Sequence, residues 1–401
     1  MNATDDPNLT FSTREGRVQF CQECLEQGYQ DLAIRELLKG LALYPEDPDL
    51  HFFLGVAYDE KGLKERAIQY YQQCLELAPD HAEANCNLGV NYHEAGMLDE
   101  AVEAYQSALR QHEGLPEAHY NLGLIHQQRY ELDKAKQEFA ATVARKPDHA
   151  EAHYNLGVLF YQEGSYHQAL ECFTQCVLHD PQHANAYFNL GILLETTGKL
   201  EDAMEAYQSC VAVNADHEWA HQNLSALYAQ KGMLAEALSE ISECARLAPD
   251  NAEIMANLGA LSMETGDLVR AAEAFMQAIE LNPNYAKAHL YLGMLYLQQG
   301  LKQNALKEFQ KAILIDPGSA LAHHNLGMAY ESQKQTEQAI QAYSDALRLD
   351  ETLAQARYNM ALCLLEQGQR DMAQMQLAQL AAQDPALAER LKGVLIGGGK
   401  A

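Results

Sequence analysis

Two short motifs combine residue types that can do chemistry. His217, Glu218 and His221 match the H-E-x-x-H pattern, in which two histidines one helical turn apart bind zinc and the glutamate acts as a base. Cys21 and Cys24 form a C-x-x-C pair, a spacing used in redox motifs and structural zinc sites. Neither motif has the companions that its chemistry needs, since no third zinc ligand, second cysteine pair or βαβ pattern is apparent. The sequence therefore predicts no catalytic residue, no metal site and no cofactor, and a zinc-dependent hydrolase is kept as an alternative.

The charge balance excludes several classes of partner. The chain has 401 residues, with 28 Lys and Arg against 56 Asp and Glu, so its formal net charge is −28. Such a chain repels nucleic-acid phosphates and anionic lipid headgroups, and no run of about 18 apolar residues could span a membrane. The first residues show neither the basic nor the apolar part of a secretory signal. Nine cysteines, an odd number, suit a reducing compartment, and we predict a cytoplasmic protein.

A 34-residue repeat organises nearly the whole sequence. The pair Leu-Gly recurs at this constant interval or a multiple of it, and Leu224-Ser225 takes its place once. The pairs are Leu54-Gly55, Leu88-Gly89, Leu122-Gly123, Leu156-Gly157, Leu190-Gly191, Leu258-Gly259, Leu292-Gly293 and Leu326-Gly327. Eleven repeats span residues 14–387 without insertion or deletion, a pattern typical of solenoids. We predict a disordered N-terminus over 1–13, repeats over 14–387, and the end of a capping helix with a flexible tail over 388–401.

The positions within one repeat predict a helical hairpin. When Gly55 is numbered position 8, position 20 is Ala in all eleven repeats, position 15 is Gly in nine, and position 32 is Pro in eight. Apolar residues at helical spacing flank position 15, where glycine allows the turn, and small residues at positions 8 and 20 allow close helix packing. Asp80, Asp148 and Asp250 are predicted to cap the helices that follow them. An amphipathic helix is predicted over 386–396, with Leu387, Leu391, Val394 and Leu395 on its apolar side.

These residues resemble the tetratricopeptide repeat family, which places aromatic, Leu-Gly, Ala and Pro residues at the same offsets. The resemblance implies an all-α fold: a right-handed α-solenoid superhelix whose concave face is lined by the first helix of each hairpin. Position 4, usually aromatic in the family, is histidine in six repeats: His51, His119, His153, His221, His289 and His323. These histidines form either a pH-sensitive column or a polar ring between repeats. Cys74, Cys176, Cys210 and Cys244 share position 27 and are predicted to be buried packing residues.

An asparagine series occupies position 6. It consists of Asn87, Asn121, Asn155, Asn189, Asn223, Asn257, Asn325 and Asn359. A primary amide can pair with a peptide's N–H and C=O whatever the peptide's side chains are. The series is similar to the asparagine ladder in the repeat superhelix of O-linked N-acetylglucosamine transferases, although this sequence leaves no room for a catalytic domain. The alternative is that these amides only solvate the concave face.

Apolar residues at positions 5, 9 and 12 are predicted to flank the asparagines in two subsites. The first contains Tyr120, Leu124, Tyr154, Val158, Tyr161, Phe188 and Ile192. The second contains Met263, Leu290, Met294, Leu297 and Met328, a softer surface suited to adaptable binding. The competing interpretation is that part of this surface is core between repeats. Basic residues are nearly absent from positions 2 and 5, apart from Lys287, so no clamp for acidic peptide tails is predicted.

The sequence as a whole favours a non-catalytic scaffold or adaptor that binds extended protein segments, neutral or basic rather than acidic. Two alternatives stay open beside the zinc hydrolase. One is a self-associating assembly scaffold, using the Met-rich subsite or the ends of the array. The other is the repeat component of a glycosyltransferase system whose catalytic domain lies elsewhere. Neither nucleic acid nor membrane insertion is expected.

Overall fold

The computed structural model describes residues 13–397, and every regular element in that range is an α-helix. The helices are α1 Arg14–Glu26, α2 Gln30–Leu43, α3 Pro48–Glu60, α4 Lys64–Leu77, α5 Ala82–Glu94, α6 Leu98–Gln111, α7 Pro116–Gln128, α8 Leu132–Arg145, α9 Ala150–Gln162, α10 Tyr166–His179, α11 Ala184–Thr196, α12 Leu200–Val213, α13 Glu218–Gln230, α14 Leu234–Leu247, α15 Ala252–Glu264, α16 Leu268–Leu281, α17 Ala286–Gln298, α18 Lys302–Ile315, α19 Ala320–Ser332, α20 Thr336–Leu349, α21 Ala354–Glu366, α22 Arg370–Gln383 and α23 Pro385–Gly397. The all-α prediction is confirmed for these residues.

Each repeat folds as a hairpin, with its first helix at positions 1–13 and its second at positions 17–30. The two helices turn at position 15 with φ between 74° and 86° at the nine glycines. Tyr130 and Lys334 hold the same left-handed conformation, with φ of 58° and 61°. The repeat period therefore fixes the turn even where the glycine is missing.

Close packing inside each hairpin explains the small residues at positions 8 and 20. All eleven alanines at position 20 have no exposed surface. Position 8 glycine lies against the aromatic ring at position 24: a Cβ added at Gly89 would stand 2.7 Å from the Tyr105 ring. In the repeat that has Ser225 instead, position 24 is Ile241, and the Ser225 hydroxyl donates to the Ala237 carbonyl at 2.8 Å.

The residue that caps the first helix is at position 34, one place after the predicted aspartates. His81 and His149, not Asp80 and Asp148, cap α5 and α9 through Nδ1, which accepts a backbone N–H at 3.1 and 3.2 Å. Asn251, not Asp250, caps α15. The prediction was wrong by one place because imidazole nitrogen, like a carboxylate, can accept the free N–H groups of a helix start.

The chain divides into two compact units, one up to Ala206 and one from Tyr207 onward. Within each unit, the second helix of one hairpin packs against the first helix of the next, as α4 does against α5 and α18 against α19. A hairpin cannot bury its apolar faces alone, so this stacking supplies the core of each unit.

The last helix, α23, covers the second unit's final hairpin. Ala388, Leu391 and Leu395 are buried in the same cluster as Leu380. Val394, predicted on the apolar side, is instead 45% exposed. The predicted disorder of residues 1–12 and the tail over 398–401 lie outside the described residues, while Thr13 caps α1 by accepting the Gly16 N–H at 3.1 Å.

Candidate peptide-binding surface

The position 6 asparagines all lie on first helices, and seven of the eight are half-buried. Asn325 is 6% exposed and donates to the Leu321 carbonyl of its own helix at 2.9 Å. Little of its amide is therefore open to a ligand. The others combine a fixed backbone with a partly open side chain, which is the condition a peptide ladder needs.

Tyrosine hydroxyls of the preceding hairpin hold several of these amides in place. Asn87 and Asn223 donate from Nδ2 to the position 24 hydroxyls of Tyr71 and Tyr207, at 3.4 and 3.1 Å. Tyr207 is the first residue of the second unit, so the bond from Asn223 lies within the second unit and the bond from Asn87 lies within the first.

Where position 24 is phenylalanine, the tyrosine at position 5 takes over this role. Asn155 donates to Tyr120 at 3.4 Å, and Asn189 donates to Tyr154 at 3.2 Å. Asn155 also donates to the Glu151 carbonyl at 2.9 Å, so both N–H groups of its Nδ2 have acceptors. No donor within the described residues reaches its amide oxygen. The geometry thus fixes the orientation of two successive amides and leaves an acceptor on Asn155.

The first apolar subsite is partly built into the core between repeats. The rings of Tyr120 and Tyr154 lie against the rings of His149 and His183, with centroids 4.6 Å apart and planes tilted by 36° and 37°. Burial raises the pKa of both phenols. Leu124 packs on the same cluster as Tyr120, and Val158 and Tyr161 pack on the same cluster as Tyr154.

All seven residues of this subsite are nevertheless half-buried rather than buried, including Phe188 and Ile192. Both interpretations made from the sequence therefore have a physical basis here. One side of these side chains supports the stack of hairpins, and the other side leaves apolar surface beside the asparagines.

The second apolar subsite is less uniform. Leu290 is 7% exposed and belongs to a buried cluster, against which Met294 and Leu297 pack. Met263 is half-buried beside a neighbouring cluster, and Met328 is 37% exposed. Leu290 is thus core, and the exposed part of this subsite is centred on the methionines.

The H-E-x-x-H motif is explained by local structure. His217 caps α13, with Nδ1 accepting the Ala220 N–H at 3.1 Å. His221 uses both ring nitrogens: Nδ1 lies 2.6 Å from Glu240 Oε2, and Nε2 lies 3.0 Å from the Ala215 carbonyl. Among residues 13–397, no group of three His, Cys, Asp or Glu side chains could hold a metal ion.

Two other position 4 histidines follow the same arrangement as His221. His119 and His289 place Nδ1 2.6 Å from Glu138 and Glu308, and Nε2 faces a backbone carbonyl at position 32 of the preceding repeat. The glutamates share position 23, on the second helix of the same hairpin. Arg17 and Glu36 make the equivalent pair in the first repeat at 3.1 Å. Sequence reasoning missed these glutamates, although their recurrence at a fixed spacing after a histidine is visible.

The nine cysteines are all free and buried. Burial raises the pKa of the position 27 thiols Cys74, Cys176, Cys210 and Cys244 to about 12, and that of Cys21 likewise. They are protonated near neutral pH and act as small apolar residues, as predicted for position 27.

Family comparisons agree with the repeat frame. Six models described as tetratricopeptide repeat match residues 48–81, 70–103, 120–171, 148–216, 223–286, 261–320, 320–353 and 355–386. A further model described as TPR repeat matches residues 91–129. No curated protein is significantly similar to the chain.

Several solved structures are similar to the chain. The Cut9–Hcn1 hetero-tetramer of the APC/C matches with a TM-score of 0.51 at 17% identity, covering 96% of each chain. YrrB, described as a TPR protein with an unusual peptide-binding site, matches with a TM-score of 0.41 at 26% identity, covering 47% of this chain and 97% of its own. MamA from Desulfovibrio magneticus RS-1 matches with a TM-score of 0.39 at 23% identity, covering 42% of this chain and 96% of its own. None of the described helices is long and apolar enough to cross a membrane.

Proposed function

Because this chain belongs to the tetratricopeptide repeat family, whose repeats typically serve as protein-interaction scaffolds, we propose that it is a non-catalytic adaptor for extended polypeptide. The observation that carries the proposal is the pair Asn155 and Asn189. Both amides occupy the same position of successive first helices, and each is held by a tyrosine hydroxyl from the preceding hairpin.

The chemistry of this arrangement suits a peptide backbone. The free amide oxygen of Asn155 can accept a backbone N–H, and apolar surface from Val158, Phe188 and Ile192 lies on the same two helices. Orientation fixed before binding lowers the entropy lost on association. The partner segment is extended because the amides repeat along the stack and not around one pocket.

The charge of the chain sets the preferred partner. With a net charge of −28, neutral or basic segments approach more readily than acidic ones. We place the protein in the cytoplasm, which is supported by nine buried, unpaired thiols.

A selected peptide provides the test. Peptides that bind the full chain are isolated from a displayed library of unstructured sequences, and their affinity is then measured with purified variants. We expect Asn155→Ala combined with Asn189→Ala to weaken binding by about tenfold or more, since each lost hydrogen bond contributes about 0.5–1.5 kcal/mol. Asn185→Ala is the matched control, because Asn185 is exposed on the same helix α11 as Asn189. Equal affinity of the double variant and the control would contradict the proposal.

A further inference from the structure

A histidine at position 4 of the tenth repeat lacks the glutamate partner that three of its counterparts have. In three other repeats, His119, His221 and His289 pair with the position 23 glutamate of their own hairpin at 2.6 Å. In the tenth repeat position 4 is His323 and position 23 is Ala342. Within the described residues, the His323 ring has no hydrogen-bond or ion-pair partner.

A cavity lies where the missing glutamate would extend. Its volume is about 300 Å³, and both His323 and Ala342 line it. Ile313 and Leu326 supply apolar walls, and Tyr330 supplies a phenol. This is the one repeat in the sequence that combines histidine at position 4 with alanine at position 23. Where alanine occurs at position 23 elsewhere, position 4 is Asn85, Tyr187 or Met255, so those repeats have no histidine that lacks a glutamate partner.

The polar groups of the cavity include donors. The Tyr330 hydroxyl accepts from Gln310 Nε2 at 3.2 Å, so its own proton remains available. The ring of His323 offers at least one N–H in any protonation state. Donors beside the apolar walls of Ile313 and Leu326 favour a ligand that has an aliphatic stem and an acceptor at its end.

The local charge tolerates an anion although the whole chain is acidic. Residues 302–348 contain five Lys or Arg and five Asp or Glu, so this stretch is neutral. Asp345 is the one carboxylate that lines the cavity. It accepts from Gln341 Nε2 at 3.2 Å and lies 3.6 Å from the Arg348 guanidinium, which offsets its charge.

We propose that this cavity binds a carboxylate carried on an aliphatic stem, as presented by a glutamate side chain of a partner polypeptide. The partner's carboxylate takes the place that Glu308 takes beside His289 in the preceding repeat. The site uses positions 4, 7 and 11 of α19 and is separate from the asparagine and apolar positions 5, 6, 9 and 12. It does not depend on the peptide ladder.

The test follows the histidine ring directly. The full chain is labelled with ¹³C-histidine, and the ring resonance of His323 is identified by its loss in His323→Gln. N-acetylglutamate methylamide and hexanoate are then titrated, with N-acetylglutamine methylamide and hexanamide as uncharged counterparts. We expect a saturable shift of the His323 resonance with the two carboxylates, with a dissociation constant on the order of a millimolar for ligands of this size. The two amides should produce no saturable shift.

Two alanine-to-glutamate substitutions provide a second test of the site and its matched control. Ala342→Glu supplies the carboxylate from within the chain, so the His323 resonance should shift without ligand and no longer respond to the titration. Ala274→Glu places the same group at position 23 of another repeat, where position 4 is Met255, and should leave the response intact; Ala274 and Ala342 are equally buried, each 4% exposed.

The outcomes separate the proposal from its rivals. No saturable shift in the wild type, or an unchanged response in Ala342→Glu, would overturn the site. A response to hexanoate but not to N-acetylglutamate methylamide would overturn the glutamate side chain as the source. If either glutamate variant unfolds, the His323→Gln variant decides. A carboxylate-induced shift of another histidine resonance that is the same in His323→Gln as in the wild type would show that the carboxylate binds elsewhere.

Discussion

At the scale of single residues, glycine at position 8 and the aromatic ring at position 24 form one unit. A Cβ built on Gly259 would lie 2.6 Å from the Phe275 ring, too close without movement of one helix. The repeat with Ser225 has the smaller Ile241 at position 24, so the two positions vary together. The helix spacing of each hairpin depends on this pair.

Gly259→Ala should destabilise its hairpin by about 1–3 kcal/mol, because the added methyl overpacks the contact. Hydrogen exchange of the α15 and α16 amides measures this locally. Adding Phe275→Ile should recover part of the loss by reproducing the Ser225 and Ile241 pairing. Strictly additive destabilisation by the two changes would contradict the account.

Tyr130 tests the turn at position 15. It is 89% exposed and holds φ of 58°, a conformation that costs a residue with a side chain about 1–2 kcal/mol. Tyr130→Gly should therefore raise the free energy of unfolding by about 0.5–1 kcal/mol, after the larger entropy of an unfolded glycine is subtracted. A higher midpoint of urea unfolding provides the measurement. Lys334→Gly should behave alike, and Gly266→Ala should have the opposite effect.

At the scale of helices, the imidazole caps make helix starts sensitive to acid. His149 and His217 accept a backbone N–H through Nδ1, which is possible only without a proton there. Burial lowers the pKa of both rings below their ordinary value of 6.5. The unfolded state therefore binds protons more readily than the folded state. The stability that the two neutral caps contribute is complete above about pH 6.5 and is lost as the pH falls toward the pKa of the folded state.

His149→Asn isolates this effect, because asparagine caps a helix well and does not titrate in this range. The difference in unfolding free energy between wild type and variant should change by up to about 1 kcal/mol between pH 7.5 and pH 5, with the wild type losing more. Urea unfolding at several pH values provides the measurement. A difference that does not vary with pH would show that the ring does not cap in its neutral form.

The sequence predicts the helices and their turns better than it predicts their caps and the contacts between helices. The period predicted the turns, the α-helical class and the close contacts at positions 8 and 20, because backbone conformation and packing recur with each repeat. The cap was misplaced from His149 to Asp148, because both side chains can accept an N–H and only the backbone geometry decides between them. The pairing of His289 with Glu308 joins two helices and is not a local property.

The candidate site was harder to predict than the fold. Periodicity identified Asn155 and Asn189 as equivalent and placed Tyr120 and Tyr154 beside them as apolar residues, but it did not predict that the tyrosine hydroxyls accept hydrogen bonds from the amides. Leu290 and Met328 both looked like ligand surface, and burial separates them, since one is core and the other is 37% exposed. Surface exposure depends on how neighbouring hairpins stack, which a single repeat does not contain.

At the scale of the whole molecule, we propose that net charge selects which partner segments approach. The net charge of −28 should attract a lysine-containing variant of a selected peptide and repel a glutamate-containing one that binds through the same asparagines. Raising the salt from about 50 to about 500 mM should slow association of the basic peptide by about tenfold, because exposed charges are screened beyond a few ångströms. Stopped-flow fluorescence provides the rates, and a faster association of the acidic peptide would contradict the charge argument.

Recognition of the peptide backbone is the central claim, and N-methylation of a selected peptide tests it most directly. Methylation removes one backbone N–H donor and leaves every side chain in place. The account predicts that methylation at the residue facing Asn155 weakens binding by about tenfold in the wild type and has little further effect in the Asn155→Ala variant. Affinity that survives methylation at every backbone amide of the peptide would contradict the account.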